Sequence, residues 1–256
     1  MTELDAQTQE ALAELLLSMA DDEFVLGFWD SEWTGIAPIL EEDVAMSSVS
    51  QDEIGHAKAL YELLAGLTGD DADRIAFGRP ADGYRHAALM NHARTDWASS
   101  IARRFLYENA DAIRLESLAN SSYQPLADLV VKMRREETYH LLHFDLWLRR
   151  LAEGGEESHS RLAAAIDELW ADAQAVFAPL AGEARLMAAR ILPETLETLR
   201  ARWLERVRPR LEALGLPVPT AATPPDADGR IRHTDEFAWL HGEFTMVARS
   251  DEAATW

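Results

Sequence analysis

The chain has 256 residues, of which 48% are hydrophobic, enough for one large core or one core with an appendage. Its formal charge of −21 excludes a nucleic-acid binder, which needs a basic surface, and disfavours adhesion to an anionic membrane. Cysteine is absent, so disulfides, thiolate zinc sites and Cys-ligated iron–sulfur clusters are excluded, and any metal must be held by His, Asp or Glu. No apolar run reaches the ~20 residues of a membrane span. The start, MTELDAQTQE, lacks the basic and apolar regions of a signal peptide, so a soluble cytoplasmic protein is expected.

Taken in chain order, the apolar periodicity predicts helices almost throughout. Over 6–32, Leu12, Leu16, Met19, Glu23, Leu26 and Asp30 recur at steps of four and three. Trp33-Thr-Gly-Ile-Ala-Pro38 breaks the pattern. A second helix over 39–67 carries Val49, Glu53, His56, Leu60 and Leu63 on one stripe. The Gly- and Asp-rich stretch 66–85 reads as a long connection. A third helix is expected over 86–118, with Trp97, Ile101, Arg104, Glu108 and Leu115 aligned. After Asn120-Ser-Ser-Tyr-Gln-Pro125, a fourth runs to about 152 with Val130, Met133, Glu137, His140, Phe144, Trp147 and Leu151.

Glu153-Gly-Gly-Glu-Glu-Ser-His-Ser160 reads as a loop, followed by helices near 160–178 and 193–213. Gly215-Leu-Pro-Val-Pro-Thr-Ala-Ala-Thr-Pro-Pro225 reads as a stiff extended linker, and 234–248 as a final short helix. No period-two strand pattern persists. The expected organisation is a four-helix bundle over 1–153, with 154–256 adding helices and a tail to the same domain.

Six polar residues interrupt the apolar stripes: Glu23, Glu53, His56, Glu108, Glu137 and His140. A carboxylate buried without a partner costs several kcal/mol, so these positions need a chemical reason. Glu53/His56 and Glu137/His140 are each three apart and share a helix face. One Glu from each of two helices, with Glu-x-x-His from the other two, is the ligand set of the ferritin-like di-iron and di-manganese bundles. Glu53 lies 30 residues after Glu23, and Glu137 lies 29 after Glu108, so the two halves echo each other. Four carboxylates would balance two divalent ions, iron first and manganese as the alternative.

The bland readings are an i,i+3 surface pair at each motif, or an i,i+4 pair of Glu136 with His140. A third Glu-x-x-His, Glu156/His159, falls in the Gly/Ser loop and reads as accidental. His143 reads as a flanking residue, Tyr139 as packing, Trp97 and Trp147 as core, and Arg104 as the neutraliser of a nearby acid. Arg103, Lys132, Arg134 and Arg135 read as solvated surface charge.

Several segments carry a family resemblance: Glu41-Glu-Asp, Gln51-Asp-Glu-Ile-Gly-His-Ala57, Ser100-Ile-Ala-Arg103, Arg135-Glu-Glu-Thr-Tyr-His140 and Ala165-Ile-Asp-Glu-Leu-Trp170. His233-Thr-Asp-Glu-Phe237, Val247-Ala-Arg249 and the terminal Ala254-Thr-Trp256 extend it. Together they resemble the C subunits of the bacterial 1,2-phenylacetyl-CoA epoxidases. That resemblance implies a multicomponent monooxygenase that epoxidises the ring of phenylacetyl-CoA in aerobic phenylacetate catabolism. It implies partnership with a catalytic di-iron subunit, a reductase supplying electrons from NADPH, and assembly as a homodimer or hetero-oligomer. Many C subunits lack several iron ligands and serve as structural partners. Glu53 and His56 stand here where such members have residues like Asp and Gln. The competing readings are a stand-alone di-iron oxygenase or oxidase, and a ferritin-like metal-binding protein.

Overall fold

In a computed structural model, residues 4–219, 225 and 227–250 are described. Within them the helices are α1 (Ala6–Ser31), α2 (Leu40–Thr68), α3 (Ala72–Phe77), α4 (Trp97–Leu118), α5 (Gln124–Glu153), α6 (Glu156–Ala173), α7 (Glu183–Ala188), α8 (Leu196–Ala213) and α9 (Asp235–Ser250). The fold is all-α, with no strand among the described residues, and its long helical hairpins are those of a ferritin-like bundle. No helix among the described residues is long and apolar enough to cross a membrane. The chain divides into two compact units, Met1–Ala93 with Arg230–Trp256, and Arg94–Gly229.

In the first unit α1 and α2 form an antiparallel hairpin. Its register is read from the Gln9 side chain donating to the Leu67 carbonyl, the Tyr61 hydroxyl donating to Asp21, and Thr34 meeting Ser47. Asp5 caps α1 by accepting the Thr8 amide, and Gly69 ends α2 at φ +76°, in the left-handed region that a side chain disfavours. The C-terminal segment returns to this unit. Arg230 donates to both oxygens of Asp22, Thr234 donates to the Asn91 carbonyl, and Phe244 of α9 meets Phe24 and Phe28 of α1.

In the second unit α4 and α5 form the matching hairpin, with Trp97 edge-on to Trp147 at 5.2 Å. Asp96 caps α4 by accepting the Ser99 amide. Of α4's residues nearly all are buried, because α5, α6 and α8 all contact it. Trp203 of α8 donates its indole N–H to the Leu106 carbonyl and lies 5.1 Å from the Trp170 ring of α6.

Several sequence expectations change. The third long helix begins at Trp97, not near 86: residues 88–91 form a 3-10 turn whose backbone is held by tertiary bonds, from the Trp29 indole to the Met90 carbonyl and from Thr234 to the Asn91 carbonyl. The 66–85 connection contains α3, capped by the Asp71 side chain. The loop over 153–160 is short, because Gly155 at φ +128° turns the chain so that α6 starts at Glu156. Tyr139 is 74% exposed and is not a packing residue. Of the expected linker, 216–219 lacks helix, while 220–224 lie outside the described residues, as does the terminal Ala254-Thr-Trp256.

Candidate metal centre

Each unit presents one triad of two carboxylates and one imidazole. In the first unit, Glu23 comes from α1, and Glu53 and His56 from α2. Their ligand atoms lie within 4.8 Å of one another. All three are buried, and His56 Nδ1 sits 3.5 Å from Glu23 Oε2. Proximity depends on Gly27, one turn after Glu23. A Cβ there would stand 3.1 Å from the Glu53 Cβ and from Ile54, so the missing side chain lets α2 approach α1 beside Glu23 and Glu53.

In the second unit, Glu108 comes from α4, and Glu137 and His140 from α5. Their ligand atoms also lie within 4.8 Å of one another, all buried. His140 Nδ1 is 3.3 Å from Glu137 Oε1, so the i,i+3 geometry expected from the sequence is realised inside the fold and not on its surface. Arg104, one turn before Glu108, does neutralise an acid: its guanidinium lies 2.5 Å from Glu108 Oε1, with both groups fully buried. The same guanidinium stands 4.7 Å above the Phe144 ring. Arg103, expected as solvated surface charge, is instead buried on the closely packed α4, whereas Lys132, Arg134 and Arg135 are exposed as expected.

The remaining expectations fall as follows. His143 is half-buried, edge-on to Phe144 at 5.0 Å. Trp147 is buried and Trp97 half-buried. Glu156 and His159 lie on the first turn of α6, beside an open surface hollow with Glu153, and join neither triad.

Sequence reasoning did not single out the acids next to Glu23. Asp21, Asp22 and Glu23 are consecutive and all fully buried. Asp21 accepts from Tyr61, from the Arg79 guanidinium and from the Arg85 amide. Asp22 accepts from Arg230 and from the Ala87 amide. Burial and the Asp21 charge push the Tyr61 phenol well above its usual range. Close by, His86 is pushed down to about 3, by burial first and then by neighbouring His233. Its Nε2 faces the Asn91 Oδ1 at 3.0 Å, while the Asn91 amide donates to the Arg232 carbonyl, so the neutral ring carries its proton on Nε2. The run of three acids on an apolar helix was the available signal. It did not reveal that two of them meet arginines far along the chain.

Carboxylates and imidazoles gathered within ligand distance and away from water fit a divalent first-row metal, and the sulfur-free set favours iron or manganese over copper(I). The triads can therefore hold metal.

Comparison with known proteins places this chemistry in context. The chain is 27% identical over 252 residues to the C subunit of 1,2-phenylacetyl-CoA epoxidase from Escherichia coli (strain K12), covering 96% of this chain and 99% of that protein. It is also 27% identical over 225 residues to the A subunit of the same epoxidase, covering 85% of this chain and 71% of that protein. The family described as phenylacetic acid catabolic protein matches residues 1–256, and the chain belongs to that family.

Proposed function

We propose that the chain is one component of a multicomponent oxygenase of phenylacetate catabolism, the structural partner of a catalytic di-iron subunit, with a metal centre of its own. The observation that carries this reading is the likeness to the C subunit of the epoxidase over nearly the full length of both chains. The partners would be an electron-supplying reductase and the catalytic subunit. The place of action would be the cytoplasm and the substrate phenylacetyl-CoA.

In this reading Glu23, Glu53, His56, Glu108, Glu137 and His140 are the metal ligands. A pair of irons, when bound, supplies dioxygen activation. The protein supplies the rest. Glu23 lies in the unbroken buried run Ser18–Gly27 of α1, and Glu108 projects from a helix buried along almost its whole length, so water is kept from the ligands. The i,i+3 spacing of Glu53/His56 and Glu137/His140 fixes two donors on one rigid turn. Carboxylates suit such a centre because they can bind one ion or bridge two.

The completeness of both triads favours a second reading, in which this chain itself carries out oxygen chemistry. Two measurements separate them. Anaerobically purified protein is expected to hold about two irons per chain, and Glu53→Ala and His140→Ala to lose them; metal-free wild type would remove the metal centre from the proposal. Co-expressed with the catalytic partner, the chain is expected to elute as a hetero-oligomer that turns over phenylacetyl-CoA. Full turnover by this chain with a reductase alone would replace the partner role with the second reading.

A further inference from the structure

Glu108, Glu137 and His140 are all buried, so an ion that reaches them has to pass through protein first. Beside them the second unit carries a hollow of about 290 Å³ between α4 and α5. Ala112 and Glu116 line it from α4, and Arg134, Arg135, Glu137 and Thr138 line it from α5. Glu137 therefore belongs both to the hollow and to the triad. Ala112 stands one turn after Glu108, so both helices bring the hollow alongside the triad. The space holds several waters at about 30 Å³ each, room for a cation that has kept part of its water shell.

The hollow stops at Glu137. Both carboxylate oxygens of that residue are covered, and Oε1 lies 3.3 Å from His140 Nδ1. The geometry points to this hollow as the route by which a divalent cation enters the Glu108/Glu137/His140 triad, with the Glu137 side chain as its inner door. This assignment rests on reading the triad as metal ligands. A glutamate side chain turns between staggered positions without moving its backbone, so Glu137 can meet an ion in the hollow and carry it inward. The mouth opposes a cation. Arg134 and Arg135 are exposed there, and Glu116 across from them already accepts from Arg202 at 2.8 Å and Arg206 at 2.9 Å. With a Debye length of about 8 Å at physiological salt, these local charges and not the net charge of the chain govern the last step of approach.

A route is travelled in both directions. Blocking it slows entry and exit alike and leaves the equilibrium where it was. The chain has no cysteine, so a single introduced thiol can be labelled alone. Thr138→Cys in the full-length chain, capped through a disulfide with a bulky aromatic thiol, fills the hollow, and a reducing agent empties it again. Leu146→Cys with the same label is the control, exposed on the same helix two turns further on and outside the hollow. The probe is Co(II) alone. Its uptake by metal-free protein is followed by visible d–d absorption after rapid mixing, its release by transfer to excess EDTA, and its affinity by equilibrium dialysis.

Labelled Thr138→Cys is expected to take up and release at least one equivalent of Co(II) tenfold or more slowly, with the dissociation constant within twofold of wild type. Reduction is expected to restore both rates, and labelled Leu146→Cys to match wild type. Wild-type uptake is expected to quicken as NaCl screens Arg134 and Arg135. Unchanged rates in labelled Thr138→Cys, equal slowing in labelled Leu146→Cys, or a label that alters release alone would overturn the route while leaving the metal reading intact. Wild-type uptake that slows with salt would place entry on an acidic part of the surface and overturn it as well. No Co(II) bound by wild type would remove the metal reading, and the route with it.

Discussion

Within one helical turn of α1, three consecutive acids meet two different fates. Asp21 and Asp22 are closed into a network of arginine, tyrosine and backbone donors drawn from residues 61–87 and from Arg230. Glu23 instead faces a second carboxylate and an imidazole, Glu53 and His56. Both clusters are buried, and both would be costly if left uncompensated. The first is compensated by fixed charges belonging to the chain and so holds the fold together. The second gathers two carboxylates and an imidazole within ligand distance of one another, an arrangement that fits a cation. Buried charge alone does not mark a functional site; the sign and permanence of its neighbours do.

The sharpest way to break this contrast is to remove one member from each cluster. Arg230→Ala leaves Asp22 buried with its counter-charge gone and is expected to cost about 3–5 kcal/mol in urea unfolding. Glu53→Gln is expected to change the unfolding free energy of the metal-free chain by less than about 1 kcal/mol, within the range of mild substitutions, while losing metal. Equal destabilisation by the two variants would erase the distinction.

A smaller effect comes from pH. The folded pKa of His86, about 3, lies below its ordinary value of 6.5. The unfolded chain therefore binds a proton that the folded chain refuses, and stability falls as pH falls from about 6.5 towards 3. Between pH 7 and pH 5 the loss from His86 is about 2 kcal/mol. Burial also holds His233 and His241 below their usual range, which adds in the same direction. Urea midpoints across this range check the sign, and His86→Gln is expected to flatten the slope.

The smallest expected effect tests the closeness of α1 to α2. Gly27→Ala places a methyl group 3.1 Å from the Glu53 Cβ and from Ile54. A cost of about 1 kcal/mol is expected from this overpacking, read by thermal melting. The same methyl group pushes on the backbone turn that carries Glu53, so weaker metal binding, measured with Co(II), is expected as well. Unchanged melting and binding would mean that the interhelical distance is not what aligns the first triad.

How much of this was legible beforehand differs from element to element. The four long helices followed from apolar residues at steps of three and four, because burying a stripe is a local, periodic demand. Glu53/His56 and Glu137/His140 were legible for the same reason, since helical spacing alone puts each pair on one face. The start of α4 was missed by eleven residues, because the Met90 and Asn91 carbonyls are taken up by Trp29 and Thr234, which no local pattern reveals. Tyr139 was misplaced because its aromatic ring suggested burial, while its position on α5 faces solvent.

The sequence by itself determined the class of fold, the helix faces and the residue types of the candidate centre, since these depend on periodicity and on the chemistry of single side chains. Only the tertiary structure decided which buried acids are closed by arginines and which gather with histidine. It also decided that Arg104 rests on Glu108 and that Gly27 lets two helices close upon a carboxylate. The physical reason is range. A helix repeats over a few residues, whereas a buried charge is settled by whichever partner the fold brings to it, and Arg230 lies 208 residues from Asp22.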